Sequence, residues 1–390
     1  MTTNHSNSAG NALMLPGGGA RGAYQVGALK AISELNNSTG GCDNPFPIIT
    51  GTSAGAINAG VLASQGCSLS IGVERLEHFW CNMRSEMIFR TDLQAMLING
   101  LRWFLSMYLG FFGFRPPRSL LDNTPLHELL RNNLTPGGIS EAIRRGNLRA
   151  LAINASGYTC SDAVSFFQGH EDITAWQHER RRGERSMIDV EHLLASSALP
   201  LIFPAVRIGN EYFGDGGMRL TAPLSTALQL GARRILVIST RDAKQDEQAA
   251  REEDLQFPSL GEIGGAMMDI IFLDNLNADI QRTRQLNEII ARMTSAHRRE
   301  LGLRHTDVLH LTPSADVREI AYAHSHEVPA ALRFMLRRLG ADGDGRKVRL
   351  PSYLLFEQGF CRALIDLGYR DVMDRKDEIE AFLHDERHNE

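Results

Sequence analysis

A doubled unit near the N-terminus narrows the folds open to this chain. Twice within the first 63 residues a short apolar run meets a glycine-rich turn and then an amphipathic or small-residue helix. Ala12–Leu15 leads into Gly17–Gly22 and a helix over about 23–35. Phe46–Thr50 breaks at Gly51 and leads at once into the helix Ala54–Ala63. Short, evenly apolar strands are those of a sheet buried on both faces, and a helix between two of them returns the chain for parallel pairing.

The same alternation continues downstream. Ala150–Ser156 and Ala163–Phe167 read as a strand pair joined by a turn. Val206–Ile208 and Glu211–Phe213 flank Gly209–Asn210, a two-residue hairpin signal. Arg234–Ser239 is a buried strand preceded by a helix starting near Pro223, and Val308–Leu311 is a last strand. Residues 72–147 carry no strand signal and read as a helical insertion. A long helix is expected from about Ile263 to Met293. The charged stretch 242–257 reads as an exposed loop, and two terminal helices are expected over Ser352–Leu367 and Asp371–Leu383. The expected division is 11–313 for the main domain, with its motif-bearing core at 11–240, and 314–390 for a C-terminal helical extension.

Composition excludes several classes. A net charge of −5 leaves no basic footprint for nucleic acid. No apolar stretch reaches the ~18 residues of a membrane span, and the polar start MTTNHSNSAGN lacks the basic and apolar regions of a secretory signal, so a cytoplasmic protein is expected. The five cysteines have neither C-x-x-C nor Cys/His spacing, which argues against a disulfide scaffold or structural zinc. No metal and no organic cofactor are expected.

Three glycine-framed motifs carry the chemistry. Gly17-Gly18-Gly19-Ala20-Arg21-Gly22 sits between strand and helix, where backbone N–H groups can converge on an anion: a phosphate, a pyrophosphate or a developing oxyanion. As a dinucleotide loop it lacks an acid at a strand end ~20 residues on, because Asp43 falls in the loop before the next strand. Gly51-Thr52-Ser53-Ala54-Gly55 has the pattern of a nucleophile elbow, though a serine before an apolar helix is also a frequent N-cap. Asp215-Gly216-Gly217 follows the hairpin strand, and taken alone is only a turn.

In this order, G-G-G-x-[RK]-G, G-x-S-x-G and D-G-[GA], the motifs resemble those of the patatin-like phospholipase family. The lead-in Ala195-Ser196-Ser197-Ala198-Leu199-Pro200 is similar too. The resemblance is close over roughly 11–240. It implies a three-layer α/β/α fold on a mostly parallel sheet, with Ser53 at the carboxyl end of the second strand. It also implies a serine acyl hydrolase working through a Ser53–Asp215 dyad on ester bonds of phospholipids or lysophospholipids. The backbone of Gly18 and Gly19 would form the oxyanion hole, with Arg21 reinforcing it. A dyad needs an aspartate withdrawn from water, and the apolar residues around Asp215 (Pro200, Leu201, Ile202, Phe203, Phe213) suit that shielding.

Two other readings stand beside it: a Ser-His-Asp esterase using His324 or His326, and a phosphate- or nucleotide-binding protein using the glycine loop. The aromatic segment 102–115, bounded by Arg102 and Arg115, suits a cover for the site or peripheral contact with a membrane, and equally an inserted helix packed on the core. The basic run Arg180–Arg185 reads as a solvated face or a contact for anionic headgroups.

Overall fold

A computed structural model describes residues 10–66, 68–90, 119–241, 257–341 and 349–384. The aromatic segment 102–115, most of the charged loop 242–257 and Cys67 lie outside the described residues.

Ten strands form one sheet: β1 (Asn11–Leu15), β2 (Ile48–Thr52), β3 (Ala150–Gly157), β4 (Ala163–Gly169), β5 (Trp176–His178), β6 (Arg181–Arg185), β7 (Val206–Ile208), β8 (Glu211–Asp215), β9 (Arg234–Ile238) and β10 (Asp307–Leu311). The order is β10-β9-β1-β2-β3-β4-β6-β5, with the β7–β8 hairpin joined to β3 through β8. The five strands from β10 to β3 are all parallel, and the antiparallel pairs lie beyond β3.

Alternation along the central strands builds two cores. Leu13, Leu15, Ile49, Leu151, Ile153, Leu236 and Ile238 face one side, against α1 (Ala23–Ser38), α2 (Ala54–Ser64) and the C-terminal helices. Ala12, Met14, Ile48, Ala150, Ala152, Ile235 and Val237 face the other, against Leu224, Ala227, Leu276 and Ile280. Helices thus cover both faces of the sheet, the three-layer arrangement expected of buried parallel strands.

Several expectations need correction. β2 does not break at Gly51 but runs through it to Thr52, because Gly51 and Thr52 pair with Leu15 and Asn154 in the ladder. Gly51 serves close packing instead: a Cβ there would lie 2.5 Å from the Gly55 carbonyl oxygen. Of the basic run Arg180–Arg185, all but Arg180 forms a strand, β6, paired to β4 and β5. Its charges are half-solvated near the sheet edge, and Arg182 sits among Asp162, Glu184 and Glu211. The long helix is Leu260–Asp269, a π-helical turn Ile270–Asp274 and Asn275–Ala291. The terminal helices are Arg349–Leu354, Gln358–Met373 and Lys376–His384.

The C-terminal helices are built into the main core. A Cβ on Gly27 would overlap the Ile365 carbonyl, and one on Gly368 the Tyr24 carbonyl, so α1 and the helix Gln358–Met373 touch backbone to backbone. The described part of the insertion is helical, over Leu69–Cys81, Ser85–Ile88, Thr124–Asn133 and Gly138–Arg144.

Candidate active site

Strand β3 is the element that brings the motifs together. Thr52 of β2 stands beside Asn154, and Asp215 of β8 stands opposite Ala155, the next residue along β3. Ser53, one residue past the end of β2, and Asp215, the last residue of β8, therefore meet at the same end of the sheet.

Ser53 occupies a sharp bend with φ 56° and ψ −125°. This is a strained conformation for a residue with a side chain, costing about 1–3 kcal/mol. The surroundings hold it there. The Ser53 N–H donates to the Ser196 hydroxyl at 2.9 Å, which itself donates to the Asn154 carbonyl at 2.6 Å. On the other side, Ala56 and Ile57 donate their N–H groups to the Ser53 carbonyl. Two residues on, a Cβ at Gly55 would overlap the Leu15 carbonyl, so α2 can start against the end of β1 only with glycine there.

Asp215 is fully buried. Its Oδ1 accepts the Gly217 N–H at 2.9 Å, while Oδ2 has no hydrogen-bond partner of regular geometry. Burial pushes its carboxyl up to about 7, opposed by the nearby Ser53 side chain and by the Gly217 N–H. Phe213, two residues back on β8, faces the same way and packs edge-on against Phe166 at 5.1 Å. Of the expected shielding residues, Phe203 and Phe213 are buried, but Leu201 is 67% exposed and shields nothing. Gly214 faces the Tyr158 ring, whose hydroxyl is held above its ordinary range by burial and by the Asp215 charge.

The glycine loop folds over the same end of the sheet. Gly17 lies against Ser53, where an added Cβ would be 3.0 Å from the serine Cβ. Gly18 is extended, and Gly19 has φ 55° and opens the short helix Gly19–Gly22. Among the described residues neither the Gly18 nor the Gly19 N–H has a hydrogen-bond acceptor. Gly22 packs against Ala54 and Trp80, Gly216 against the Asn154 carbonyl, and Gly217 against Ile271 and Phe272. Arg21 is fully buried and turned toward the C-terminal segment. Its guanidinium donates to Ser352 Oγ at 2.6 Å and 3.1 Å, stacks 3.8 Å over the Tyr353 ring and stands 3.9 Å from Asp269.

Gly19 and Ser53 share the wall of a narrow cavity of about 30 Å³, otherwise lined mainly by apolar side chains such as Phe79, Trp80, Met83, Leu199, Phe203 and Phe356. It holds no more than one or two waters as it stands. Ser53 and Asp215 make no hydrogen bond to a histidine among the described residues. His324 pairs with Glu327 at 2.7 Å, and His326 is exposed. Those residues also contain no cluster of side chains suited to a metal ion, and no helix long and apolar enough to cross a membrane.

Two contributors escaped the sequence. Ser196, which braces the elbow, could be singled out only as part of the lead-in string. Phe272, whose ring would meet a Cβ on Gly17, sits in a helix with no motif at all.

The chain resembles VipD from Legionella pneumophila at 11% identity, covering 90% of this chain and 66% of that one, with a TM-score of 0.30. It resembles human GIVD cytosolic phospholipase A2, solved in complex with methyl gamma-linolenyl fluorophosphonate, at 13% identity, covering 98% of this chain and 60% of that one, with a TM-score of 0.42. The chain thus spans less than two thirds of the length of either protein. No curated protein sequence matches it. The patatin-like phospholipase family model matches residues 13–228, a stretch that holds the glycine loop, the elbow and the Asp215 turn. With more than half of its length matched, the chain belongs to the patatin-like phospholipase family.

Proposed function

We propose that this protein is a serine hydrolase of lipid carboxylic esters, most simply phospholipids or lysophospholipids, acting through a Ser53–Asp215 dyad. The observation that carries this reading is the meeting of a strained serine with a buried carboxyl whose affinity for protons is raised to about 7. A serine hydroxyl is a poor nucleophile until a base takes its proton, and a base works best with a pKa near the working pH.

In this reading Ser53 Oγ attacks the acyl carbonyl and its proton passes to Asp215. The tetrahedral oxyanion is met by the Gly18 and Gly19 N–H groups, each such donor being worth about 3 kcal/mol of the barrier. Asp215 returns the proton to the departing alkoxide, leaving an acyl-enzyme. Water, deprotonated by Asp215, then releases the fatty acid and restores Ser53. The apolar lining of the cavity beside Ser53 suits an acyl chain, which must push side chains such as Phe203 or Phe356 aside to enter. Arg21, committed to Ser352, Tyr353 and Asp269, braces the loop from behind rather than touching the oxyanion.

Peripheral membrane contact through 102–115 remains part of this proposal and lies outside the described residues. The Ser-His-Asp alternative draws no support from the hydrogen bonds of Ser53 and Asp215. The nucleotide alternative gains none either, since β2 ends in Thr52 without an acid.

The test is fluorophosphonate labelling with site mapping on wild type, Ser53→Ala and Asp215→Asn. Labelling at Ser53, absent in the first variant and collapsed in the second, supports the dyad. An unlabelled but folded wild type would overturn it and return the glycine loop to a binding role.

A further inference from the structure

The helix that begins at Leu260 does not run straight through to Ala291. Between Asp269 and Asn275 it carries a π-helical turn, Ile270–Asp274. Such turns take one extra residue, distort the regular ladder and are frequent at functional sites. Here the widened turn lets two consecutive residues point at the catalytic end of the sheet. Ile271 packs against Gly217, where a Cβ would lie 2.9 Å from both its side chain and its carbonyl oxygen. Phe272 is 5% exposed, and its ring touches Gly17 of the loop, Gly217 of the Asp215 turn and the Tyr353 ring at a centroid distance of 5.7 Å. Ile270, by contrast, is exposed.

The turn is also anchored. Asp269, the residue before it, accepts from Tyr353 Oη at 2.6 Å and pairs with Arg241 at 2.6 Å and Arg21 at 3.9 Å. One face of one turn thus ties together the loop arginine, the glycine loop and the Asp215 turn.

We propose that the π-helical turn Ile270–Asp274 is a positioning element of the reaction, wedging Phe272 between the glycine loop and the Asp215 turn so that Gly17 is pressed against Ser53 and water is kept from the carboxylate. Phe272 touches no reacting atom and acts through Gly17 and Gly217. The inference rests on the Ser53–Asp215 reading. The groups that face Asp215 are the Ser53 hydroxyl, the Gly217 N–H and, at longer range, Tyr158 with Arg219 beside it. None of them belongs to the π turn, so changing Phe272 alters the wetting of Asp215 without adding or removing a charge.

The experiment measures the rate of fluorophosphonate labelling of Ser53 against pH in wild type, Phe272→Ala and Phe272→Leu. Opening the wedge hydrates Asp215, which lowers its pKa and makes it a weaker base. Phe272→Ala is expected to label roughly tenfold more slowly at its plateau, with the acidic limb moved at least about half a pH unit toward lower pH. Phe272→Leu, which keeps part of the volume, is expected to fall between the two, and it carries the test if the alanine variant does not fold. An acidic limb at the wild-type position in whichever variant folds overturns the proposal and leaves the dyad standing. A wild type that does not label at Ser53 overturns the dyad itself, and the wedge with it.

Discussion

The Ser53 N–H and the Asn154 carbonyl oxygen are linked through a single hydroxyl, that of Ser196, at 2.9 Å and 2.6 Å. All three residues are buried, so the bridge has no water to replace it. Ser196→Ala strands a donor and an acceptor at once, and the elbow loses the contact that opposes its strain. A loss of about 1–3 kcal/mol in urea unfolding is expected, with slower labelling of Ser53. Unchanged stability together with unchanged labelling would show that the elbow holds itself.

The pH dependence of stability follows from the position of Asp215. Its folded-state pKa of about 7 lies above the ~3.9 of an unfolded chain. Between those values the native state keeps a proton that the unfolded chain has released. Stability therefore declines as pH rises from about 4 to about 7 and levels off above. Asp215→Asn removes this slope: at about pH 8 the variant is expected to be more stable than wild type by on the order of 1–4 kcal/mol, the gain fading near pH 4. Chemical denaturation of both proteins across that range reads it directly. Activity of wild type should fall in the opposite sense, dropping as pH decreases through about 7.

Two glycine substitutions separate packing from backbone strain. Gly55→Ala would place a Cβ 2.5 Å from the Leu15 carbonyl carbon and 2.6 Å from the Pro16 oxygen, neither of which can yield. It is expected to cost about 2–4 kcal/mol and to abolish labelling. Gly137→Ala meets nothing within 4 Å but sits at φ 73°. It should cost only about 1–2 kcal/mol and leave the rate of labelling intact. Equal effects of the two on labelling would contradict the placement of Gly55 against the end of β1.

Removing residues 349–390 should leave no folded catalytic core. Tyr24 of α1 donates to Asp371 at 2.9 Å, and Asp371 also accepts from Ser314. Phe360, Cys361 and Leu364 are fully buried in the same core as α1. The truncated chain is expected to be insoluble or to lack cooperative unfolding. A soluble 1–348 fragment that still labels at Ser53 would refute this and make the C-terminal part a separable extension.

Phe203 is 6% exposed and lines the cavity beside Ser53. Phe203→Ala should enlarge the space for an acyl chain. In a series of p-nitrophenyl esters, the kcat/KM ratio of long to short chains is expected to rise by about tenfold. A ratio that does not move would place the chain elsewhere.

Much of the sheet was legible because its strands obey local rules. β1, β3, β4, β9 and β10 are short apolar runs between turn signals, and each lies within one or two residues of its expected bounds. β6 was not legible, since a strand with Arg181, Arg182, Glu184 and Arg185 has the composition of a solvated loop and gains its order only from its partners β4 and β5. The π turn was hidden for a related reason: Ile270-Ile271-Phe272-Leu273 fits a helix of either pitch until packing selects one.

The pieces whose demands are local can be read from the string alone. These are glycines where backbones must approach, a serine at a bend between strand and helix, and an aspartate before two small residues. What the pieces do together depends on packing between distant segments. Ser53 and Asp215 are 162 positions apart and meet because β2 and β8 follow one another along the same edge of β3, Thr52 beside Asn154 and Asp215 opposite Ala155, while β4 takes the other edge. Asp215 is raised to about 7 by burial, which is a property of the packed fold. Arg21 faces Ser352 and Asp269, and Phe272 closes on Gly17, because side-chain direction and desolvation arise from packing between distant segments rather than from the string in which a residue stands.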